Sequence, residues 1–162
     1  MSWFHTREVH FPQDYNGFIH IYTDGACRDN GRDNATAGIG VFIDDDHPEN
    51  VSKAIPTSRQ TNIAAEMLAV LEAVSIVRKY NLCNVIIYTD SEFIVKGVTE
   101  WMPDWIRRGW RTSSGHRPQY VNEFKTLDAA MKKWYIRLEY VQGHSGIYGN
   151  EMADRLARKA VQ

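Results

Sequence analysis

The chain has 162 residues, 43% hydrophobic, 12% aromatic and 24% charged, with a net charge of −1. That length sets one domain as the default and is enough to bury a substantial core. No apolar run approaches the ~20 residues of a membrane span, and the start, MSWFHTREVHFPQDYNG, lacks the continuous apolar region of a secretory signal. Cys27 and Cys83 stand far apart with no metal-type spacing, which fits a reduced, intracellular compartment. The small negative charge does not advertise a polyanion binder. A group of carboxylates held on metal would, however, leave the rest of the surface net positive.

Residues 1–17 mix His, Arg, Glu, Pro, Asp and Asn with scattered aromatics and read as an extension or loosely docked arm ahead of one domain over 18–162. A first strand is expected at about 18–24, followed by a Gly- and Asn-rich turn, CRDNGRDNATAG. GIGVFID reads as a second strand, DDDHPEN as a hairpin loop and VSKAIP as a third, antiparallel strand. A long helix is predicted from about Asn62 to Tyr80, capped by Thr61 or Asn62, with Ile63, Val70, Ala73 and Val77 on one face. NVIIYTD reads as a buried strand, after which Ser91 starts a short helix, SEFIVKGVTEW. A Trp- and Arg-rich stretch covers 101–111, a further helix spans about 121–134, and IRLEYVQ is the last strand. The loop GHSG then leads into a final helix from about Asn150. The order β-β-β-α-β-α-α-β-α predicts an α/β fold with one five-stranded mixed sheet. Three strands are antiparallel, two are parallel, and helices lie on both faces.

The tetrapeptide Ile-Tyr-Thr-Asp occurs twice, ending at Asp24 and at Asp90. In open α/β sheets, ligand sites gather at the carboxyl ends of strands, and both aspartates are expected there. Either alone reads equally well as the start of a turn or a helix cap. Glu66 changes the balance, because it shares the stripe of Ile63, Val70, Ala73 and Val77, the face a helix should bury. An ionised carboxylate on that face is costly unless paired or bound to metal. Asp154, in GNEMADRLARKAV, lies off the apolar side formed by Met152, Ala153, Leu156, Ala157 and Ala160, together with Asn150 and Arg158. Alone it reads as an acid complementing a helix dipole. Carboxylates converging from separate elements suit two hard cations that clamp a phosphodiester for in-line attack by water. There is no zinc-type Cys/His spacing, no phosphate loop with a following Lys, and no signal for a Ser or Cys nucleophile.

The motifs IYTDGACRDNG, AGIGVFI, RQTNIAAEMLAV, VIIYTDSEF, WMPDWIRRGWRTSSG and VQGHSGIYGNEMADRLAR, in that order, resemble the eukaryotic-type catalytic domain of type 1 ribonuclease H. The resemblance covers about Phe18 to Val161. It implies the ribonuclease H-like fold and hydrolysis of the RNA strand of RNA–DNA hybrids, leaving 5′-phosphate and 3′-hydroxyl ends. It maps the acidic set of that family onto Asp24, Glu66, Asp90 and Asp154, holding two Mg2+ ions for which Mn2+ can substitute. His144 matches a histidine that assists proton transfer or product release. Asn30 and Asn62 correspond to minor-groove contacts, with Gly25, Ala26 and Cys27 contributing main chain. Ile63 stands where glutamine commonly follows the second asparagine. Arg59 and Thr61 match a pocket for a phosphate of the DNA strand, with Asn122 the nearest candidate for its third member and Arg158 a further substrate contact. Trp101, Trp105, Arg107, Arg108, Trp110, Arg111, Thr112 and Ser113 resemble a basic protrusion and DNA channel, where Trp105 is the better candidate for substrate and Trp110 reads equally as core.

Two other readings stay open. One is the ribonuclease domain of a retroelement reverse transcriptase. The other is a non-catalytic hybrid-binding module, whose expected mark is a missing acid. A DNA resolvase or integrase with a similar sheet is opposed by Asn30, Asn62 and the Trp/Arg stretch. Residues 1–17 leave no room for a separate basic-aromatic hybrid-binding module, so the chain reads as an excised domain or a short form, with modest processivity expected; a monomer is expected as well.

Overall fold

A computed structural model of the chain describes residues 8–29, 36–55 and 61–162. Strands β1 (Ile19–Arg28), β2 (Thr36–Phe42), β3 (Val51–Ile55), β4 (Val85–Thr89) and β5 (Ile136–Tyr140) form one sheet in the order β3-β2-β1-β4-β5. β1–β2 and β2–β3 pair antiparallel, while β1–β4 and β4–β5 pair parallel. The expected three-plus-two arrangement is therefore present. The helices are α1 (Asn62–Tyr80), α2 (Glu92–Lys96), α3 (Met102–Arg107), α4 (Val121–Trp134) and α5 (Tyr148–Lys159), with a π turn (Gly97–Trp101) joining α2 to α3.

Local chemistry sets the ends of α1. Thr61 is extended, and its Oγ1 accepts the Ala64 amide at 3.1 Å, satisfying one of the orphan donors of the first turn. Asn81 adopts the left-handed conformation and closes the last turn onto Arg78 and Val77 carbonyls. Between these ends α1 is buried over most of its circumference, through Ala65, Met67, Ala69, Val70, Ala73, Val74, Ile76 and Val77. Met67, Val70, Val74 and Val77 pack with Ile21, Val41, Ile87, Phe124 and Leu127 in the core. Each such side chain contributes about 1.5–3 kcal/mol on burial.

Side chains alternate along β1, so its two faces have different partners. The Gly25 face meets α1, and the face bearing Tyr22 and Asp24 meets α5. Two glycines allow the close approach. A Cβ on Gly25 would lie 2.4 Å from the Glu66 amide nitrogen, and one on Gly40 would lie 2.0 Å from the Ala153 carbonyl oxygen. Any side chain at either position would push a helix off the sheet.

Several boundaries differ from expectation. β1 does not end at Asp24 but runs on to Arg28, because Asp24 to Arg28 pair with Gly40 to Thr36 of β2. Asp24 is thus mid-strand, two residues beyond the last parallel pair with β4, Tyr22 with Tyr88. The helix expected to end near Trp101 continues to Arg107. Pro103 has no amide to donate, and the wider π turn just before it lets the rod continue. α5 begins at Tyr148, and Asn150, expected off the apolar side, is only 3% exposed because the first turn of α5 packs down on the sheet. The described part of the N-terminal segment is docked. Phe11 is 8% exposed, its ring 5.0 Å from Tyr80 and 4.8 Å from His47, and Gln13 bridges to Ile19.

Candidate active site

Four elements deliver the four acids. Asp24 lies on β1 where the sheet turns from parallel to antiparallel pairing. Asp90 follows the last residue of β4, Glu66 is in the second turn of α1, and Asp154 is in α5. Each of Asp24, Glu66 and Asp90 places a carboxylate oxygen within 4.8 Å of the other two. Asp154 stands beside this trio. Its charge reaches both Asp24 and Asp90, and its Oδ2 accepts from Arg158 Nη2 at 2.7 Å.

The Asp24 Oδ1 accepts the Gly25 amide at 2.8 Å. Thr23 Oγ1 donates to the Tyr88 carbonyl at 2.8 Å, tying β1 to β4 just before the acids. Ser91, 4% exposed, caps α2 by accepting the Ile94 amide at 3.3 Å and also hydrogen-bonds Glu66. Thus the residue that starts α2 after Asp90 also steadies Glu66, a link that sequence reading missed.

Crowding like charges away from water raises their pKa values. Burial, then the Asp90 charge, pushes Asp24 up to about 9, with Asp154 adding to the rise and the Gly25 amide opposing it. Burial pushes Glu66 up to about 7, opposed by the Ser91 hydrogen bond and helped by Asp90. Asp90 is also raised, by burial and by Asp154, against a hydrogen bond shared with Asp24 and the nearby His144. Asp90 Oδ1 is buried with no hydrogen-bond partner among the described residues. An unmatched carboxylate oxygen in an all-oxygen trio, holding protons it would not keep in water, fits a hard divalent cation of the Mg2+ type.

An open cleft continues from the acids. It is lined by Gly25, Ala26, Cys27, Arg28, Asn62, His144, Asp154 and Arg158, among others. His144 is exposed, in the loop before α5, with a left-handed backbone (φ 56°). Asn62 is exposed at the first residue of α1 and Cys27 is half-buried near the end of β1. Thr61 is occupied as the α1 cap, its hydroxyl hydrogen still available to a ligand. Asn30 and Arg59 lie outside the described residues.

Asn122, exposed at the start of α4, accepts from Arg117 Nη2 at 2.8 Å and shares a second hollow with Ala64 of α1. Arg117 gave no signal in the sequence, since it sits in a polar loop without periodicity. Trp101 and Trp105 ride on the continued helix that begins after Asp90. Their rings are 6.1 Å apart, Trp101 also touching Phe93 and Trp105 packing edge-on to Phe124 at 5.4 Å. Trp105 and Trp110 both pack partly against the core, so the expected division between a substrate Trp105 and a core Trp110 is not clear-cut. Arg107 pairs with Asp104, while Arg108 and Arg111 are exposed. Thr112 and Ser113 lie in the following turn, where Thr112 Oγ1 accepts the His116 amide at 3.1 Å.

The family model for RNase H matches residues 16–162, and the chain belongs to that family. It is 42% identical over 142 residues to Ribonuclease H1 of Rattus norvegicus, covering 88% of this chain and 50% of that protein. It is 37% identical over 144 residues to Ribonuclease H of Bordetella avium, covering 88% of this chain and 90% of that one. The chain thus spans about half the length of the mammalian relatives it matches. Among solved structures it superposes on LC9-RNase H1, described as a type 1 RNase H with the type 2 active-site motif. The TM-score is 0.71 at 27% identity, over 93% of this chain and 74% of that one. The foamy viral protease-reverse transcriptase in complex with RNA/DNA hybrid shares the fold, with TM-score 0.71 at 21% identity over 88% of this chain and 20% of that one. No helix among the described residues is long and apolar enough to cross a membrane.

Proposed function

We propose that this chain is a divalent-metal-dependent endonuclease that hydrolyses the RNA strand of RNA–DNA hybrids, leaving 5′-phosphate and 3′-hydroxyl ends. The observation that carries the reading is the convergence of Asp24, Glu66 and Asp90 within 4.8 Å, with Asp154 alongside, in a chain of this family. Two Mg2+ ions, with Mn2+ able to substitute, would be held by these four acids and supply charge neutralisation and Lewis acidity at the scissile phosphate. One chain provides all four acids, so the working unit is taken to be a monomer, with 18–162 as the catalytic domain.

The chain's own residues supply the rest. Asp24 and Asp90, fixed by the sheet, and Glu66, steadied by Ser91, preorganise the negative charge that draws the ions. His144, exposed on the cleft wall beside Asp154, is placed to carry a proton to or from solvent. Asn62 and the Gly25–Cys27 main chain line the cleft where a ribose 2′-hydroxyl distinguishes RNA from DNA, and Asn30 would join them. Thr61, Arg59 and Asn122 would hold a phosphate of the DNA strand, and Arg158 a phosphate in the cleft. Trp101 and Trp105, with Arg108, Arg111, Thr112 and Ser113, would track the DNA strand further along.

The test is a labelled hybrid incubated with Mg2+ and either the wild-type chain or Asp90→Asn. The reading requires RNA-strand cleavage by the first and its loss, by at least about 10³-fold, in the second. Equal silence of both proteins would refute it.

A further inference from the structure

Asp154 is shared between two claims. On one side it is electrostatically joined to Asp24 and Asp90. On the other, its Oδ2 is held by Arg158 Nη2 at 2.7 Å, one turn along α5. The three-acid group within 4.8 Å does not include it. A carboxylate oxygen engaged by a guanidinium shares its charge with that charge-assisted hydrogen bond and so attracts a cation less strongly.

Resting on the metal-dependent reading above, we propose that Arg158 is a positioning residue that competes with the second cation for Asp154. The ion pair keeps the site partly assembled, with Asp24, Glu66 and Asp90 grouped together and one oxygen of Asp154 held by Arg158. Arg158 also lines the cleft beside Asn62 and His144. A phosphate entering there draws on the same guanidinium and releases Asp154. Arrival of nucleic acid and completion of the metal site are thereby linked through one side chain, without movement of the sheet.

Calorimetric titration of the chain with Mn2+, in the absence of nucleic acid, tests this without reference to turnover. Arg158→Gln removes the cation while keeping an amide donor, and its side chain is 62% exposed, so the fold tolerates it. The weaker of two binding events should tighten about two- to threefold, and the stronger should not move. Arg158→Lys keeps the charge and should stay near wild type. Arg155→Gln removes an exposed cation from the same helix without touching the pair, and should also leave the weaker event unchanged. Equal tightening by Arg155→Gln and Arg158→Gln would reduce the effect to bulk charge and overturn the proposal, as would no tightening by Arg158→Gln. If neither the wild-type chain nor Arg158→Gln shows a weaker event, or if Asp154→Asn leaves both events intact, the metal assignment of Asp154 itself fails, and this inference fails with it.

Discussion

Asp24 lies directly across from Gly40 in the β1–β2 register, and Gly40 is one of the places where α5 presses on the sheet. A Cβ at Gly40 would meet the Ala153 carbonyl at 2.0 Å and the Ala157 amide nitrogen at 2.6 Å, both backbone atoms that cannot turn aside. The distance between the acid on the strand and the acid on the helix, Asp154, is therefore set by a missing side chain. Gly40→Ala should lower stability by about 1–3 kcal/mol through overpacking, read by urea unfolding. It should also weaken divalent-cation binding, because Asp154 moves off with the helix. Lost stability with unchanged cation affinity would show that α5 does not set the site.

The protons held by the acids give the metal-free chain an unusual pH dependence. The folded pKa values of Asp24, about 9, and Glu66, about 7, lie above their unfolded values. A raised carboxyl binds its proton more tightly when folded, so its stability contribution is complete below about pH 4 and is lost as pH rises through 7 and then 9. Asp24→Asn removes the larger part of this loss. Without metal, the variant should match the wild type near pH 4 and exceed it at pH 9 by on the order of 1–3 kcal/mol, discounting the shift for coupling and solvent. Paired urea unfolding curves across that range, in chelator, provide the check.

Thr61 is bound to the α1 start by its hydroxyl. Thr61→Ala should cost ~1 kcal/mol of stability and raise KM for hybrid more than it lowers kcat, whereas Thr61→Ser should restore both. Unfolding curves and steady-state kinetics on the same preparations separate the cap from the substrate contact.

His144 is exposed, and its backbone sits at φ 56°, where asparagine is also tolerated. His144→Asn should leave the melting temperature within a degree or so yet lower kcat by about 10²-fold. An unchanged kcat would place proton transfer elsewhere.

How far the sequence carried these results depends on the residue. Glu66 was legible because a charge on a helix's apolar stripe has few explanations, and Asp90 because a buried strand with a helix cap behind it has a definite end. The order of strands and helices along the chain, and one mixed sheet of three antiparallel and two parallel strands, followed from element types. The end of β1 was not legible. Gly-Ala-Cys-Arg reads as the approach to a turn, and only pairing with Thr36 to Ile39 of β2 makes it strand. Gly40 read as one strand glycine among others, since its importance lies in the helix that arrives more than a hundred residues later. The continuation from α2 through the π turn to α3 was hidden by Gly97 and Pro103, two residues that usually stop helices. The Arg158–Asp154 pair was visible as i,i+4 spacing, but its competition with the metal role was not, because that depends on where Asp24 sits.

If these converged acids make a nuclease selective for the RNA strand of a hybrid, one hybrid digested twice, labelled on the RNA strand and then on the DNA strand, with Mg2+ and again with chelator, should show it. Internal cuts are expected in the RNA strand alone, only with Mg2+, with 5′-phosphate and 3′-hydroxyl product ends. Cleavage of the DNA strand, or RNA cleavage that survives chelation, would contradict it.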